Sequence, residues 1–367
     1  MRIAYLSESI IPSRFANSVH VMKMCNALAG LGAEVSLYAL RGNESAPDLY
    51  KHYGVPDSFQ IKLVSSRLLL GRPTPIALLM ALRAKFDGAA LVYGRNLTAC
   101  FFASLLGLPV IYESHTPASG LRKSKKMLLN KLVRSRQIKG FVVISKPLFQ
   151  DFKEIYNLPD EKLLVAHDGA DEPDNTPVKS FSNDDFFHIG YVGQLYPGRG
   201  MEIIEGLARQ CPYACIHVVG GNNEDIERWR NRYRDVGNLI FHGFVPPAET
   251  AGFRAACQVL LAPYQRKVTI AGGNNTVAWM SPLKIFEYMS AGRPIVCSDL
   301  PVLHEVMEDG RNCVMCPPEE VESWRRAIDT LWRDLGMREK LGQEAYRDFQ
   351  KEYSWKIRAK KILNYFV

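Results

Sequence analysis

The chain has 367 residues, 47% of them hydrophobic and 23% charged. That length points to two domains, and the composition excludes a disordered, collagen-like or disulfide-scaffold protein. The net charge of +8 is unevenly spread: residues 1–171 hold 22 Lys and Arg against 13 Asp and Glu, and the remainder holds 24 against 25. A basic first half fits a negatively charged membrane surface or a polyanionic partner. No apolar run approaches the ~20 residues of a spanning helix. Residues 2–6 are too short for a signal peptide and begin a strand. A cytoplasmic protein, free or peripheral on the membrane, is expected. The eight cysteines lie mostly in apolar runs, and the one Cys-x-x-Cys, Cys313 and Cys316, has no second pair and no nearby histidine. All eight read as small core residues in a reducing compartment.

In chain order, residues 2–7 read as a buried strand, 8–17 as a loop, 18–32 as a helix closed by Gly32, and 34–40 as the next strand. A strand, a loop and a helix start form a ligand corner in any doubly wound sheet. Asn17 and Ser18 occupy that corner; His20, in the first turn, reads as packing or capping rather than catalysis. No glycine-rich dinucleotide fingerprint appears, which argues against a nicotinamide or flavin enzyme. Residues 91–93 form a strand ending in Gly94, Arg95 and Asn96; 98–106 form a helix; 109–112 form a strand ending in Glu113, Ser114 and His115. Both polar clusters sit at carboxyl ends of strands, where open α/β sheets bind ligands. Residues 121–138, LRKSKKMLLNKLVRSRQI, read as one amphipathic helix. Arg122, Lys123, Lys125, Lys126, Lys131, Arg134, Arg136 and Lys139 crowd this region, with no acid between Glu113 and Asp151. It reads equally as a surface for an anionic membrane and as a solvated face over core. Strands at 141–144 and 163–166 follow, with Ser145 capping the helix between them, and then His167, Asp168 and Gly169. Residues 172–185, rich in Pro, Asn, Asp and Ser, read as a linker.

The pattern then restarts with a strand at 188–193, a turn at 194–200 and a helix at 201–209. Gly198 and Gly200 flank Arg199 at the helix start, so backbone and guanidinium can approach the same anion. Strands at 216–219, 239–242 and 259–262 come next, and residues 268–280 are loop-like. The most informative stretch is 281–298, SPLKIFEYMSAGRPIVCS. Ser281 is an N-cap candidate, Pro282 suits the first helical position, and Gly292 ends the helix. Leu283, Phe286 and Met289 make an apolar face, and residues 294–297 a strand buried on both sides. Lys284 and Glu287 share the other face. A lysine in the first turn opposes the helix dipole. A bound phosphate would account for it, with Glu287 one turn deeper reaching a vicinal diol such as a ribose. The other reading is an i,i+3 surface ion pair. Helices at 321–335, 338–353 and 355–365 close the chain.

Residues 280–296 resemble, almost letter for letter, the nucleotide-sugar signature MSPLK-x-FEYM-x-AG-x-P-V/I of the retaining GT-B glycosyltransferases of family 4. VIYESHTP, around His115, resembles the Y-E-x-H-D/T stretch of that family, and VAHDGAD resembles the motif closing its N-terminal domain. The resemblance covers nearly the whole chain. It implies an α/β GT-B fold, two Rossmann-like doubly wound domains facing a central cleft. Residues 1–171 would bind the acceptor, with the last helix, 354–367, crossing back to them; 186–353 would bind the nucleotide sugar. It places Glu287 on the ribose, and Ser281, Pro282 and Leu283 at the helix start facing the diphosphate. Arg199, with Gly198 and Gly200, becomes the diphosphate clamp, with Lys284 beside it. His242, Gly243, Phe244 and Tyr264 would lie around the base. His115 becomes the active-site histidine near the donor sugar, with Asn17, Ser18, Arg95 and Glu113 on the acceptor and sugar side.

Two positions depart from the family. Gln194 stands where a second arginine is common, and Trp279 stands where many members carry the first glutamate of E-x7-E. Asn274, Asn275 and Thr276 are the expected substitutes on the donor sugar. No Asp-x-Asp occurs, so no metal is expected on the diphosphate, and no cofactor beyond the donor. The expected activity is metal-independent transfer of a sugar, with retention, from a nucleoside diphosphate sugar to a glycan or lipid-linked acceptor in surface polysaccharide or glycolipid synthesis. No nucleic acid is expected as a partner. A GT-B epimerase or hydrolase, and a catalytically silent nucleotide-sugar scaffold, stand as alternatives.

Overall fold

The computed structural model describes residues 1–43, 46, 48–65, 72–173, 176–181, 185–269, 273 and 275–367. The chain divides into two compact units: Met1–Asp168 together with Trp355–Val367, and Gly169–Ser354.

The first unit alternates strand and helix: β1 (Arg2–Ile11), α1 (Ala16–Ala29), β2 (Glu34–Arg41), α2 (Leu49–Tyr53), β3 (Gln60–Val64), α3 (Pro73–Phe86), β4 (Leu91–Gly94), α4 (Leu97–Leu105), β5 (Val110–Ser114), α5 (Lys123–Val133), β6 (Ile138–Val143), α6 (Lys146–Tyr156) and β7 (Leu163–Val165). Among the described residues these strands form one parallel sheet in the order β3-β2-β1-β4-β5-β6-β7. The order reverses between β1 and β4, which makes their carboxyl ends the crevice of a doubly wound sheet. Strands β4 and β5 are buried along their whole length, as both faces are covered by helices.

Three boundaries differ from the sequence reading. β1 runs on to Ile11, because a register shift after Leu6 lets Ile10 and Ile11 pair with Leu40 and Arg41. The polar run inside it satisfies itself: Ser7 and Ser9 share a hydroxyl hydrogen bond of 2.9 Å. α1 accordingly starts at Ala16. The basic stretch is a helix only to Val133, and Ile138 already pairs with Val110 as the start of β6.

The second unit holds β8 (Phe187–Val192), α7 (Met201–Gln210), β9 (Ala214–Val219), α8 (Asn223–Arg232), β10 (Leu239–Gly243), α9 (Thr250–Ala256), β11 (Val259–Ala262), α10 (Leu283–Ser290), β12 (Ile295–Ser298), β13 (Val314–Cys316), α11 (Val321–Arg333) and α12 (Leu335–Asp348). A π-helical turn, Phe349–Tyr353, follows α12. Its described strands form a second parallel sheet in the order β10-β9-β8-β11-β12-β13, with its switch point between β8 and β11. α10 begins one residue later than expected, with Pro282 at the N-cap position. It is buried nearly all round rather than on one stripe: Lys284, Ile285 and Tyr288 are buried along with Phe286 and Met289, while Leu283 is half-buried. The Tyr288 hydroxyl accepts a hydrogen bond from the Val192 N–H at 2.8 Å, fixing α10 to the end of β8. The last helix, α13 (Trp355–Phe366), belongs to the first unit, where it packs on α1 and β6.

Candidate functional site

Each unit gathers its chemistry at the carboxyl ends of its strands. In the first, Glu113 at the end of β5 is completely buried and is the hub. One carboxylate oxygen faces His115 Nε2 at 2.5 Å and His20 Nε2 at 3.0 Å. The other accepts from the Tyr93 hydroxyl and lies 3.1 Å from Arg358 Nη2. His20 comes from α1, and its Nδ1 lies 3.6 Å from Asp168, just beyond β7. Its ring leans on those of His115 and Trp355, with centroids 5.0 Å away in each case. Arg358, from α13, is buried as well and donates also to the carbonyls of His167 at 2.8 Å and Ala166 at 3.2 Å and to the Met24 sulfur at 3.3 Å.

Burial works against the Glu113 carboxylate, but Arg358, His115 and His20 hold it well below the usual glutamate range. Burial, and then the charge of Arg95, push His115 down to about 4 and His20 well below the usual histidine range. Burial pushes the Asp168 carboxyl up to about 7. Near neutral pH, then, two neutral imidazoles flank an ionised glutamate. His20, Glu113, His115 and Asp168 have donor atoms close enough for a shared metal ion. Arg358 already supplies the positive charge at Glu113, so a metal there would face a guanidinium.

The sequence-chosen residues of this unit divide. His115, Glu113 and Arg95 come together; one guanidinium nitrogen of Arg95 is buried without a hydrogen-bond partner. Glu113 itself has no surface to offer a sugar, and its role is to hold its neighbours. Ser18 is buried and gives its hydroxyl to the carbonyls of Phe15 and Ser13 at 2.8 and 3.1 Å, so it locks the loop before α1. Asn17 is exposed on the first turn of α1. His20, read as packing or capping, is in the cluster. Asp168, Tyr93, Trp355 and Arg358 were missed; Asp168 lies in the VAHDGAD string and Tyr93 opens the Y-x-R-N string that holds Arg95, whereas no motif marks Trp355 or Arg358.

In the second unit the arrangement is the reverse, with cations that lack an anion. Arg199 sits between Gly198 and Gly200, both in the left-handed region at φ 85° and 86°. A Cβ on either would strike a backbone oxygen, that of Lys267 or of Pro263, at 1.8 and 1.9 Å. The glycines are therefore needed to form the turn itself. Arg199 donates to the Thr269 carbonyl at 3.3 Å, but its Nε is buried without a partner. Lys284 is buried beside it, its Nζ 3.6 Å from the Tyr191 ring centre and 5.1 Å from that of Tyr264, with no hydrogen-bond partner. The ammonium also lies against Gly193, where a Cβ would approach it to 3.0 Å. Burial, and then Arg199, push Lys284 well below the usual lysine range. Among the described residues neither cation has an acidic partner. The surface pair of Lys284 with Glu287 does not form: Glu287 faces Arg254 instead, at 3.7 Å. Glu287 and Arg254 line a cavity of about 230 Å³ with Pro173, Ala251 and Ser290.

The remaining donor-side candidates are placed as follows. Tyr264 is the buried floor under both cations. Ser281 and Pro282 lead into α10. Gly243, at φ 80°, ends β10, and its carbonyl accepts from the Gly220 N–H at 2.7 Å; Phe244 beyond it is half-buried. His242 bonds sideways to another histidine, His217, at 2.9 Å. The Asn275 side-chain oxygen accepts from the Val268 and Val277 N–H groups, so it shapes the loop. The Thr276 N–H donates to the Val268 carbonyl. Asn274 lies outside the described residues.

Comparison with known proteins follows the same division. Residues 18–172 match the family model described as Glycosyltransferase Family 4, and residues 187–334 the one described as Glycosyl transferases group 1. The uncharacterized glycosyltransferase MJ1607 of Methanocaldococcus jannaschii is 24% identical over 244 residues, 61% of this chain and 59% of that protein. The chain thus spans little more than half the length of that relative. The crystal structure of Anabaena HepE in complex with UDP aligns over 99% of both chains with a TM-score of 0.72 and 17% identity. Sucrose-phosphate synthase from Thermosynechococcus elongatus aligns over 99% of this chain and 97% of its own, with a TM-score of 0.73 and 15% identity. At these identities the likeness to solved structures is one of fold.

Two outcomes are expected of the first unit. Arg358→Met strands the buried Glu113 charge and should lower stability by about 3–5 kcal/mol, read by denaturant unfolding. Adding Glu113→Gln should recover part of the loss, and a double variant as unstable as the single one would refute the pairing. The second outcome concerns pH. His20 and His115 have lowered pKa values in the fold, so below 6.5 the unfolded chain takes protons that the folded one refuses. Their contribution is full above 6.5 and is lost as pH falls, for His115 towards about 4. Asp168 acts oppositely, its raised pKa favouring the fold between about 4 and 7 as pH falls. Melting curves across this range should flatten in His115→Gln and steepen in Asp168→Asn.

Proposed function

We propose that this chain, which belongs to the glycosyltransferases of the GT-B fold, moves a sugar from a nucleoside diphosphate sugar to a hydroxyl of a glycan or lipid-linked acceptor. The observation that carries the reading is the convergence of Arg199 and Lys284. A buried lysine and a half-buried arginine on one aromatic floor, at the starts of α7 and α10, are costly unless an anion completes them. Backbone N–H groups at two helix starts add to the same field. A diphosphate has the charge and the oxygens to satisfy all of these donors. Glu287, beside the cavity it lines with Arg254, is the proposed ribose ligand. HepE, of the same fold, is seen with UDP, so UDP is the nucleotide to offer first.

In this reading the anomeric carbon loses the nucleoside diphosphate while Arg199 and Lys284 stabilise the charge that develops on the leaving oxygen. The acceptor hydroxyl attacks from the face the diphosphate leaves, and the diphosphate takes its proton, which gives retention. The two cations do the work of a metal, so no ion is required on the diphosphate. His115 acts on the transferred sugar, kept neutral by burial and the charge of Arg95 and held in place by Glu113. The first unit takes the acceptor.

The reading also includes the membrane. Leu129 and Leu132 are the buried members of α5, so its apolar side is core. Arg122, Lys123, Lys126, Lys131, Arg134, Arg136 and Lys139 are exposed, and so is Met127, 58% accessible among them. No helix among the described residues is long and apolar enough to cross a membrane. The patch suits reversible attachment to an anionic leaflet, which would bring the enzyme to a lipid-linked acceptor.

Three measurements test the proposal. Calorimetric titration should show Arg199→Ala and Lys284→Met each weakening UDP binding roughly tenfold or more, the scale of a charge-assisted hydrogen bond. His115→Ala should bind UDP normally yet lower sugar transfer by about 100-fold, in the range for a lost transition-state contact. Undiminished UDP affinity in both cation variants would end the diphosphate assignment. Donor turnover without any acceptor would favour a hydrolase or epimerase. For the patch, sedimentation with vesicles should show binding to anionic but not neutral lipid, weakened by salt and by changing four of the exposed cations to Glu. Wild-type protein that ignores anionic vesicles at low salt would leave α5 a solvated face over core.

A further inference from the structure

A second cluster in the Gly169–Ser354 unit has no part in the diphosphate reading. On neighbouring strands β8 and β9, His188 pairs with Cys215 and Gly190 with His217. On β10, Ile240 is the partner of His217, and His242 follows two residues later. Side chains two apart share a face, so His188, Cys215, His217 and His242 project from one side of the sheet. Ile189, Ile216, Val218 and Phe241 project into the core on the other. His188 Nδ1 lies 2.9 Å from His217 Nε2, and His217 Nδ1 lies 2.9 Å from His242 Nε2. One donor atom each of His188, Cys215 and His217 falls within 4.8 Å of the others, and all three residues are buried. Gly190 occupies the fourth corner of this patch. The space its side chain would take is filled by the Cys257 thiol, which a Cβ there would meet at 2.7 Å. The ring of Phe181 stacks flat on His217, centroids 3.6 Å apart.

Buried histidines ordinarily find a carboxylate or a carbonyl. Here imidazole meets imidazole, and the second nitrogen of His188 is buried without a partner. Two imidazoles and two thiols are the donors that a zinc-type cation takes in a closed tetrahedral site. We infer that His188, Cys215 and His217, with Cys257 as the fourth donor, form a structural site for such a cation.

Zinc bonds of ~2.0–2.1 Å to nitrogen and ~2.3 Å to sulfur require the donors to draw together from their present spacing. Cys257 must also turn from its contact with the Phe253 carbonyl, 3.3 Å away. With Nε2 of His217 on the metal, its Nδ1–H is left to donate to His242 Nε2, the outer hydrogen bond that metal-bound histidines usually make. Each thiol loses its proton to solvent as its sulfur–metal bond forms. The two thiolates then neutralise the divalent charge, which suits a buried position. Such an ion would tie β8, β9 and the residue after α9 to one point.

The test uses the full chain, stripped with a chelator and titrated with Co²⁺ and then Zn²⁺. One equivalent of Co²⁺ should give the visible bands of a tetrahedral site and a near-ultraviolet sulfur-to-cobalt band, all displaced by Zn²⁺. Cys215→Ser and Cys257→Ser should each remove about half of the sulfur band, and His217→Gln should weaken binding at least tenfold. Wild-type protein alone provides an independent check: zinc uptake should release one proton per thiol, and X-ray absorption should find nitrogen and sulfur around the metal. Absence of stoichiometric uptake by the wild type, or a sulfur band unchanged in Cys215→Ser, overturns the site. A band unchanged in Cys257→Ser overturns the fourth donor.

Discussion

A carboxylate with no water around it survives only among donors, and the first unit is arranged to meet that condition at Glu113. Tyr93 from β4, His115 from the loop after β5, His20 from α1 and Arg358 from α13 all turn towards it. Removing the charge would leave a guanidinium buried at the far end of the chain and two imidazoles without orientation. Holding it makes Glu113 a positioning residue: it sets the tautomer and the direction of His115 without itself meeting solvent. The pKa directions follow from the same arrangement. Arg358 and the two histidines outweigh the burial penalty at Glu113, whereas Asp168, also buried, is driven upward.

The second unit solves the opposite problem and leaves it open. Lys284 and Arg199 are gathered where their charges repel, on the faces of Tyr191 and Tyr264, with no acid among the described residues close enough to pair. The ring faces attract a cation, but weakly compared with an anion. A folded protein keeps such a deficit where a ligand removes it, and the proposed diphosphate rests on this deficit more than on any single residue type.

Much of this was legible in the sequence because it is local. Strand runs and glycine punctuation define both sheets, and the polar strings after β4, β5 and β8 lie at carboxyl ends as periodicity predicts. SPLKIFEYMSAGRP carried Lys284 and Glu287 in the right helix, one residue early at its start. What was not legible depends on distance along the chain. Arg358 lies 245 positions after Glu113 by their numbers, and nothing in the helix around it distinguishes it from its basic neighbours Lys356, Lys360 and Lys361. His20 looked like a packing residue because a neutral, buried histidine is one until its partners are known. Polar side chains misled in the other direction. Ser18 and Asn275 sit where sugar ligands belong, yet their hydrogen bonds close loops. From sequence, a hydroxyl or an amide that shapes the backbone looks the same as one that waits for a substrate.

The position of Trp279 connects these points. Where a glutamate eight residues before Glu287 would place a negative charge near the start of α10, this chain has an indole, within a turn in which the Trp279 N–H donates to the Thr276 carbonyl. A carboxylate near Lys284 would offset its charge before any ligand arrived. Trp279 supplies no such offset, and the Lys284 ammonium keeps no hydrogen-bond partner. The same substitution removes an acceptor for sugar hydroxyls. Asn275 cannot replace it through its side-chain oxygen, which already takes two backbone N–H groups. Within the second unit, the groups gathered at the starts of α7 and α10 are therefore better matched to an anion than to sugar hydroxyls.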